Sequence, residues 1–372
     1  MDTSKKHVKQ FKGLNNVSDP LRLSLESFVQ ADNVDITDTA GLVRCNGFTQ
    51  TTTNFAISGA YATRDQKRLY VIDTGELRQM HADMTHTVLK TGLSANKTWF
   101  DEINGVVYYA NGVDYGSIEP GGWHQWGIEA PTTSPVLAGI AGTGRDVYQA
   151  VCTYVDARGQ ESGSGPVAVF EGTGPISVAS VPTQAGYTTN TYITKDNGTV
   201  FFLNGDGREL PYWASDTPRG TIVAGFEGRM YIAEAYPQYD STAIWSSLPL
   251  QYHHFEYGGE GLMVPGTVRM MKAADKALII GTDRQIFAYD GDKLEELADY
   301  GVVAGWHASR LGSDLYFWSL RGLCSVLPFK NLTEETVSVP PGSNAGALVL
   351  EKDGMRRYVV ALRTDGQAYN RR

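Results

Sequence analysis

The sequence predicts an all-β protein, a β-propeller of about six blades with an inserted immunoglobulin/fibronectin-like β-sandwich. Three observations carry this. With 41 Gly, 15 Pro, 20 Tyr and 13 Phe among 372 residues, and charged residues at 20%, the composition supplies strands and tight turns rather than long amphipathic helices. One pattern (turn, short strand with an aromatic or branched residue, Gly or Asp turn, second strand) recurs six times. One interval in that recurrence is long enough to hold an extra module.

The chain opens on an arm, and residues 1–40 are taken as arm and first strand. In FKGLNNVSDPLRL, Phe11, Leu14, Val17, Leu21 and Leu23 fit neither helical nor strand spacing, while Asn15, Asn16, Asp19 and Pro20 are turn formers. Lys5, Lys6, Lys9 and Lys12 precede or overlap it with only Asp2 against them, so the arm is locally basic on a chain of net charge −9. Ordering such a segment costs about 1–2 kcal/mol per residue, so its apolar side chains need a surface to pack on. That surface is either a partner or the chain's own propeller.

The repeat begins at QKRLYVIDTGELRQM and continues in NGVVYYANGVDYGSI, EGRMYIAEAYPQYDSTAIWSS, DKALIIGTDRQIFAYDG, GSDLYFWSLRGLCSVLP and DGMRRYVVALRTDGQAYN. Aligned on Tyr70, Tyr108, Tyr231, Ile279, Tyr316 and Tyr358, the separations are 38, 123, 48, 37 and 42. All but one lie near the roughly 40–50 residues of a propeller blade. Residues 41–130 and 206–372 therefore form the propeller. The strands around Asn33–Ile36 and Leu42–Phe48 are expected to complete a blade with the C-terminal strand, which would remove exposed edges.

The long interval places the insertion at 131–205. Pro131 and Pro135 open it. Within it Tyr148, Ala150, Cys152 and Tyr154 alternate onto one face before a turn at Asp156–Gly159. About six or seven short strands are expected, and TYVDARGQES resembles a fibronectin type III or immunoglobulin-like domain.

Chemistry is sparse. The sequence has no GxSxG elbow, Walker loop, HExxH or EF-hand loop, and none of the six hairpins carries the Ser-x-Asp-x-Gly-x-x-Trp turn of sialidase-like propellers. No catalytic residue, metal ligand or cofactor is expected. Strict strand alternation would send the adjacent His253 and His254 to opposite faces, where they could not hold one metal together. The seven Trp are assigned to the wedges between blades. Cys45, Cys152 and Cys324 are far apart and in no metal-ligand spacing, as free thiols of a reducing compartment would be. A net charge of −9 argues against a surface that coats nucleic acid, though not against a channel through which DNA passes. The sequence has no apolar signal-peptide core and no apolar run of about 18 residues, so no membrane anchor is expected.

Lys12–Asn16, then Ala31–Ile36, Gly41, Arg44 and Gly47, resemble the start of a group of tailed-bacteriophage virion proteins, which open on a Lys-Gly-Leu-Asn-Asn arm and an Ala-x-Asn-Val-Asp-Ile strand. Cys45 and Asn46 stand where that group has a basic residue and Pro. YFWSLRGLCSV and NLTEETVSVPPG resemble its last blades. The resemblance implies a tail hub of the nozzle or tail-stabilisation kind, a structural virion protein without enzymatic activity. It implies a ring, commonly of six copies, below the portal and adaptor proteins. Such a ring continues the DNA channel and offers attachment surface to tail fibres or spikes; assembly would take place in the host bacterial cytoplasm. Under this reading Lys5, Lys6, Lys9, Phe11, Lys12, Leu14, Asn15, Asn16, Pro20 and Leu21 dock on a neighbouring copy or on the adaptor ring. The alternative is a carbohydrate-binding or carbohydrate-cleaving propeller.

Overall fold

The computed structural model describes Val8 and residues 10–32, 34–37, 39–44, 56–210, 217–257, 261–339, 342–352 and 355–363. Among these the chain is all-β, with one 3-10 turn at Pro237–Tyr239 and no α-helix. It divides into two compact units, Ile57–Glu234 with Ala243–Met263, and Met1–Ala56 with Ala235–Thr242 and Val264–Arg372. Strands are numbered in chain order, starting with four short ones in the arm region: β1 (Gly13–Leu14), β2 (Ser27–Phe28), β3 (Val34–Ile36) and β4 (Leu42–Arg44).

The first unit holds three antiparallel meanders of the blade kind. They are β5–β8 (Ile57–Ala62, Leu69–Asp73, Glu76–Met80, His86–Lys90), β9–β12 (Trp99–Ile103, Val106–Ala110, Tyr115–Glu119, Gly122–Gln125) and, after an inserted sheet β13–β16 (Val136–Val155, Ala168–Ser180, Thr188–Thr194, Phe201–Leu203), β17–β20 (Ile222–Phe226, Arg229–Tyr236, Ser241–Leu248, Gln251–Phe255). A fifth strand, β21 (Leu262–Pro265), pairs β19. Thr74-Gly75, Asn104-Gly105 and Glu227-Gly228 make two-residue turns in which both residues have positive φ. That is the I′ geometry whose twist matches the flanking strands, and it explains why an x-Gly pair punctuates the sequence repeat.

Side-chain alternation then buries a blade on both faces. Neighbouring Tyr108 and Tyr109 of β10 enter different clusters, Tyr109 with Tyr70, Ile72, Leu77 and Phe100, Tyr108 with Trp126, Met230, Ile232 and Phe255. Each such large side chain contributes roughly 1.5–3 kcal/mol by burial. The first strands of the three meanders are also tied by polar contacts: Thr98, just before β9, donates its N–H to Ser58 O of β5 at 2.7 Å, and Gly225 N–H of β17 donates to Asp101 Oδ2 of β9 at 2.9 Å.

The second unit continues with β22–β25 (Val268–Ala274, Ala277–Thr282, Ile286–Tyr289, Leu294–Ala298), then β26 (Ala304–Trp306), the meander β27–β30 (Ser309–Leu311, Asp314–Ser319, Gly322–Val326, Phe329–Asn331), and β31 and β32 (Asn344–Lys352, Met355–Arg363). Met270, Ile279, Leu315, Phe317 and Cys324 share one core, and Val303, Trp318 and Ala345 another. β26 pairs β31 in parallel, and Gly305 sits at that pairing with φ +134, where an added Cβ would collide with the Ala345 carbonyl.

Five of the six repeats are thus the central hairpins of antiparallel meanders, four of them four-stranded and the third widened to five strands by β21. The sixth differs. Tyr358 lies on β32, whose hairpin partner β31 precedes it, giving a three-stranded sheet β26-β31-β32; the turn expected after Tyr358 falls outside the described residues. β3 and β4 pair with each other, and their link to the C-terminal strand is a side-chain one, Arg357 of β32 to Asp35 and to Ile36 O.

The insertion also differs from the expected sandwich of six or seven short strands. Among the described residues, 131–205 form one four-stranded sheet of order β14-β13-β15-β16. The reason is geometric. A straight 20-residue β13 would run about 63 Å at 3.3 Å per residue. Yet Val136 pairs Ser180 and Val155 pairs Thr188, so the chain spans the interval between Ser180 and Thr188 with about 28 Å of reach. The ribbon must bend, and it does so at three register breaks, the largest between Ala141 and Asp146. The chain thus forms long strands interrupted by bulges where short separate strands were expected. Val151, Tyr192 and Phe201 form its core. Arg158 ties its tip loop to β11 through Glu119 Oε1 at 2.7 Å, while also holding Asp156 Oδ2 at 2.8 Å.

Candidate functional site

The arm and the segment that follows β30 form the site on which the functional reading turns. β30 ends in Asn331, whose Oδ1 accepts from the Thr333 and Glu334 amides at 3.1 Å each, while its Nδ2 donates to Arg321 O at 2.9 Å. Asn and Thr side chains favour such local bonds, and Thr336 N–H and Val337 N–H close the turn on Thr333 O. This turn presents Thr336 and Ser338 to the arm. Asn16 N–H donates to Thr336 O at 2.9 Å, Asn16 Nδ2 donates to Ser338 O at 2.9 Å, and Ser338 N–H donates to Asn16 Oδ1 at 2.7 Å.

The rest of the arm is stapled locally. β1 runs parallel to β2, Asn15 N–H donates to Phe28 O, and the Phe11 ring stacks on Phe28 at 4.8 Å. Lys12 Nζ meets Glu26 Oε2 at 2.6 Å. Asn15 Oδ1 accepts from the Val17 and Ser18 amides, so Asn15 turns the chain as its composition suggested. Leu14 is half-buried. The loop between β1 and β2 points outward, with Pro20 exposed and Leu21 94% exposed.

The ten arm residues therefore separate into three sets. Phe11, Lys12, Leu14, Asn15 and Asn16 are held by their own chain; the Pro20 and Leu21 side chains are exposed at a loop tip, where Leu21 N–H donates to Asp19 Oδ1 at 3.0 Å; and Lys5, Lys6 and Lys9 lie outside the described residues. Sequence reasoning missed Glu26, Phe28, Thr336 and Ser338. The signal for the last two was NLTEETV itself, an Asn/Thr turn that leaves a strand-like segment with open backbone groups.

Beside the anchor lies a groove of about 240 Å³, with Trp318 and Leu320, Val337 and Val339 on its walls and Arg321 and Glu334 among its lining groups. Arg321 lies 4.6 Å above the Tyr300 ring and 3.7 Å from Asp299. Trp318 is only 6% exposed and fills the core behind the groove.

His253 and His254 require a correction. Their rings do not take opposite faces; the centroids are 4.1 Å apart. β20 pairs β19 through a break in register, Ser247 opposite Phe255 and Leu248 opposite Gln251, and that irregularity overrides alternation. Burial, with His253 a lesser cause, lowers His254 to about 3; burial, with Arg158 a lesser cause and Asp156 opposing, lowers His253 to about 4. Among the described residues no group of three or more His, Cys, Asp or Glu is placed to hold a metal ion. Cys152 and Cys324 are buried thiols whose pKa burial pushes up, with Thr191 hydrogen-bonded to the first partly opposing it, as Ser319 and Tyr300 do for the second. Cys45 lies outside the described residues.

No family model matches the chain, and no curated protein matches it. Solved structures with a similar trace are β-propellers. A catalytically inactive virginiamycin B lyase from Staphylococcus aureus with quinupristin is 11% identical at TM-score 0.36, over 84% of this chain and 97% of that one. BBS1N in complex with ARL6DN is 8% identical at TM-score 0.33, over 84% and 90%. AztD from Citrobacter koseri is 13% identical at TM-score 0.28, over 76% and 86%. Likeness at this level carries no argument about activity.

Proposed function

We propose that this chain is a structural subunit of a bacteriophage tail, a nozzle or hub protein that works by assembly rather than catalysis. The observation that supports it is the Asn16–Ser338 anchor. KGLNN and NLTEETVSVPPG, the two segments in which the sequence resembles tail proteins, lie 322 residues apart and are joined by three hydrogen bonds. The anchor orients the arm and leaves the Pro20–Leu21 tip to meet a neighbouring copy or the portal-side adaptor. In this reading the copies form a ring around a channel that DNA crosses without sequence recognition, and fibres or spikes attach outside.

The carbohydrate alternative gains no residue from the groove, because a tryptophan 6% exposed offers no face for a sugar ring to stack on. Leu21→Asp tests the proposal without touching the anchor. A folded, soluble variant that no longer joins tails is the expected result, and tails that assemble normally with it overturn the role given to the arm tip.

A further inference from the structure

The outer half of the inserted ribbon is only two strands wide. β15 covers β13 only from Ala150 to Val155, so between Val136 and Ala141 the single strand paired to β13 is β14. None of residues 136–140 is buried, nor is any of 175–181. Val136, Ile140 and Val181 are instead exposed, Ile140 at 70%. Leu137, Ala138, Ile176 and Val178 are half-buried and none is fully covered; a two-stranded ribbon of this kind is marginal in water, and among the described residues no further strand pairs either of its outer edges.

Its composition is equally distinctive. In a chain with 20% charged residues, 136–144 and 172–187 contain none. Natural sheets blunt open edges with charge, Pro or bulges, and here charge is absent, leaving Pro175 on β14 and the register breaks of β13.

We infer that this ribbon is an assembly surface, completed by the same ribbon of a second copy of this chain. Two facts select the occupant. The chain carries 41 acidic against 32 basic residues, so two copies repel over most of their surface and approach most easily where charge is absent. The ribbon also has two open edges. A twofold contact between like edges would cover one of them, whereas β13 of one copy against β14 of the next covers both, a heterologous contact that repeats from copy to copy. The Val, Ile, Ala, Gly and Ser side chains along both edges suit such strand addition, in which main-chain bonds supply affinity.

Sedimentation of the full-length chain over a dilution series, with Ile140→Lys and Val136→Lys beside it, tests this. The wild type is expected to associate, and each lysine to weaken association by about tenfold or more. Hydrogen exchange on the wild type gives a readout that needs no variant, because amides of 136–141 must slow as concentration rises. A chain that stays at monomer mass throughout, lysine variants that associate like the wild type, or exchange at 136–141 that ignores concentration each overturns the inference. The presence of the protein in tail particles is a separate observation, so this inference and the proposed function fail separately.

Discussion

Asn16 and Ser338 exchange hydrogen bonds in both directions, Asn16 Nδ2 to Ser338 O at 2.9 Å and Ser338 N–H to Asn16 Oδ1 at 2.7 Å. A primary amide here does what a strand neighbour would do, offering one donor and one acceptor to a backbone segment with open groups. Asn16→Ala removes both side-chain bonds. At about 0.5–1.5 kcal/mol each, and at an exposed position, roughly 1–2 kcal/mol of arm anchorage is lost. The expected outcome is faster hydrogen exchange and proteolysis within residues 11–28, with blade amides unchanged. Unchanged protection of the arm would show that the β1–β2 staple alone holds it.

Asp101 is the buried counterpart of that link. Its side chain is 0% exposed, accepts the Gly225 amide at 2.9 Å and stands 3.6 Å from Arg64. Removing the carboxylate leaves a buried amide without this acceptor and strips the guanidinium of this partner. Asp101→Ala is expected to cost about 1–3 kcal/mol and Asp101→Asn less, read as shifts in denaturant midpoint. A loss under about 0.5 kcal/mol in the alanine variant would mean that the contact does not join the two blades energetically.

The histidine pair sets an acid limit. Unfolded histidines take protons near 6.5, whereas folded His253 and His254 do so near 4 and 3. Between these values the unfolded chain binds more protons, so stability falls as pH drops through about 6.5 towards 4, by up to about 1.4 kcal/mol per pH unit for each group. His254→Phe is expected to flatten the urea midpoint against pH over that window. A wild-type midpoint that stays level there would contradict the buried neutral pair.

Cys152 and Cys324 are buried thiols held in their neutral form. Neither should react with a soluble alkylating reagent in the native protein, and both should in denaturant, as peptide mass mapping would report. Native labelling of Cys324 at the denatured rate would place it outside the Leu315–Phe317 core.

Much of the fold was legible because it follows from local rules. The x-Gly turns at Thr74, Asn104 and Glu227 mark hairpins, and the adjacent Tyr108 and Tyr109 mark a strand buried on both faces. What failed were places where long strands break register. The insertion reads as about six or seven short strands because a sequence pattern does not show where a strand continues through a change of register, and His253 and His254 read as opposed because alternation assumes an unbroken ladder. Of the arm, the sequence showed that Asn15 would turn the chain and that the apolar side chains needed a surface. That Asn16 meets Ser338, 322 positions away, emerges only once the chain is folded.

The most direct test of the proposed structural role is whether tailed bacteriophage particles contain this chain, and with what copy number and symmetry. Mass spectrometry and single-particle reconstruction of purified virions are expected to find it at fixed copy number, arranged as a ring below the portal with residues 11–28 at a contact between subunits. Particles that lack the chain, or an isolated chain that hydrolyses a glycan, would contradict that account.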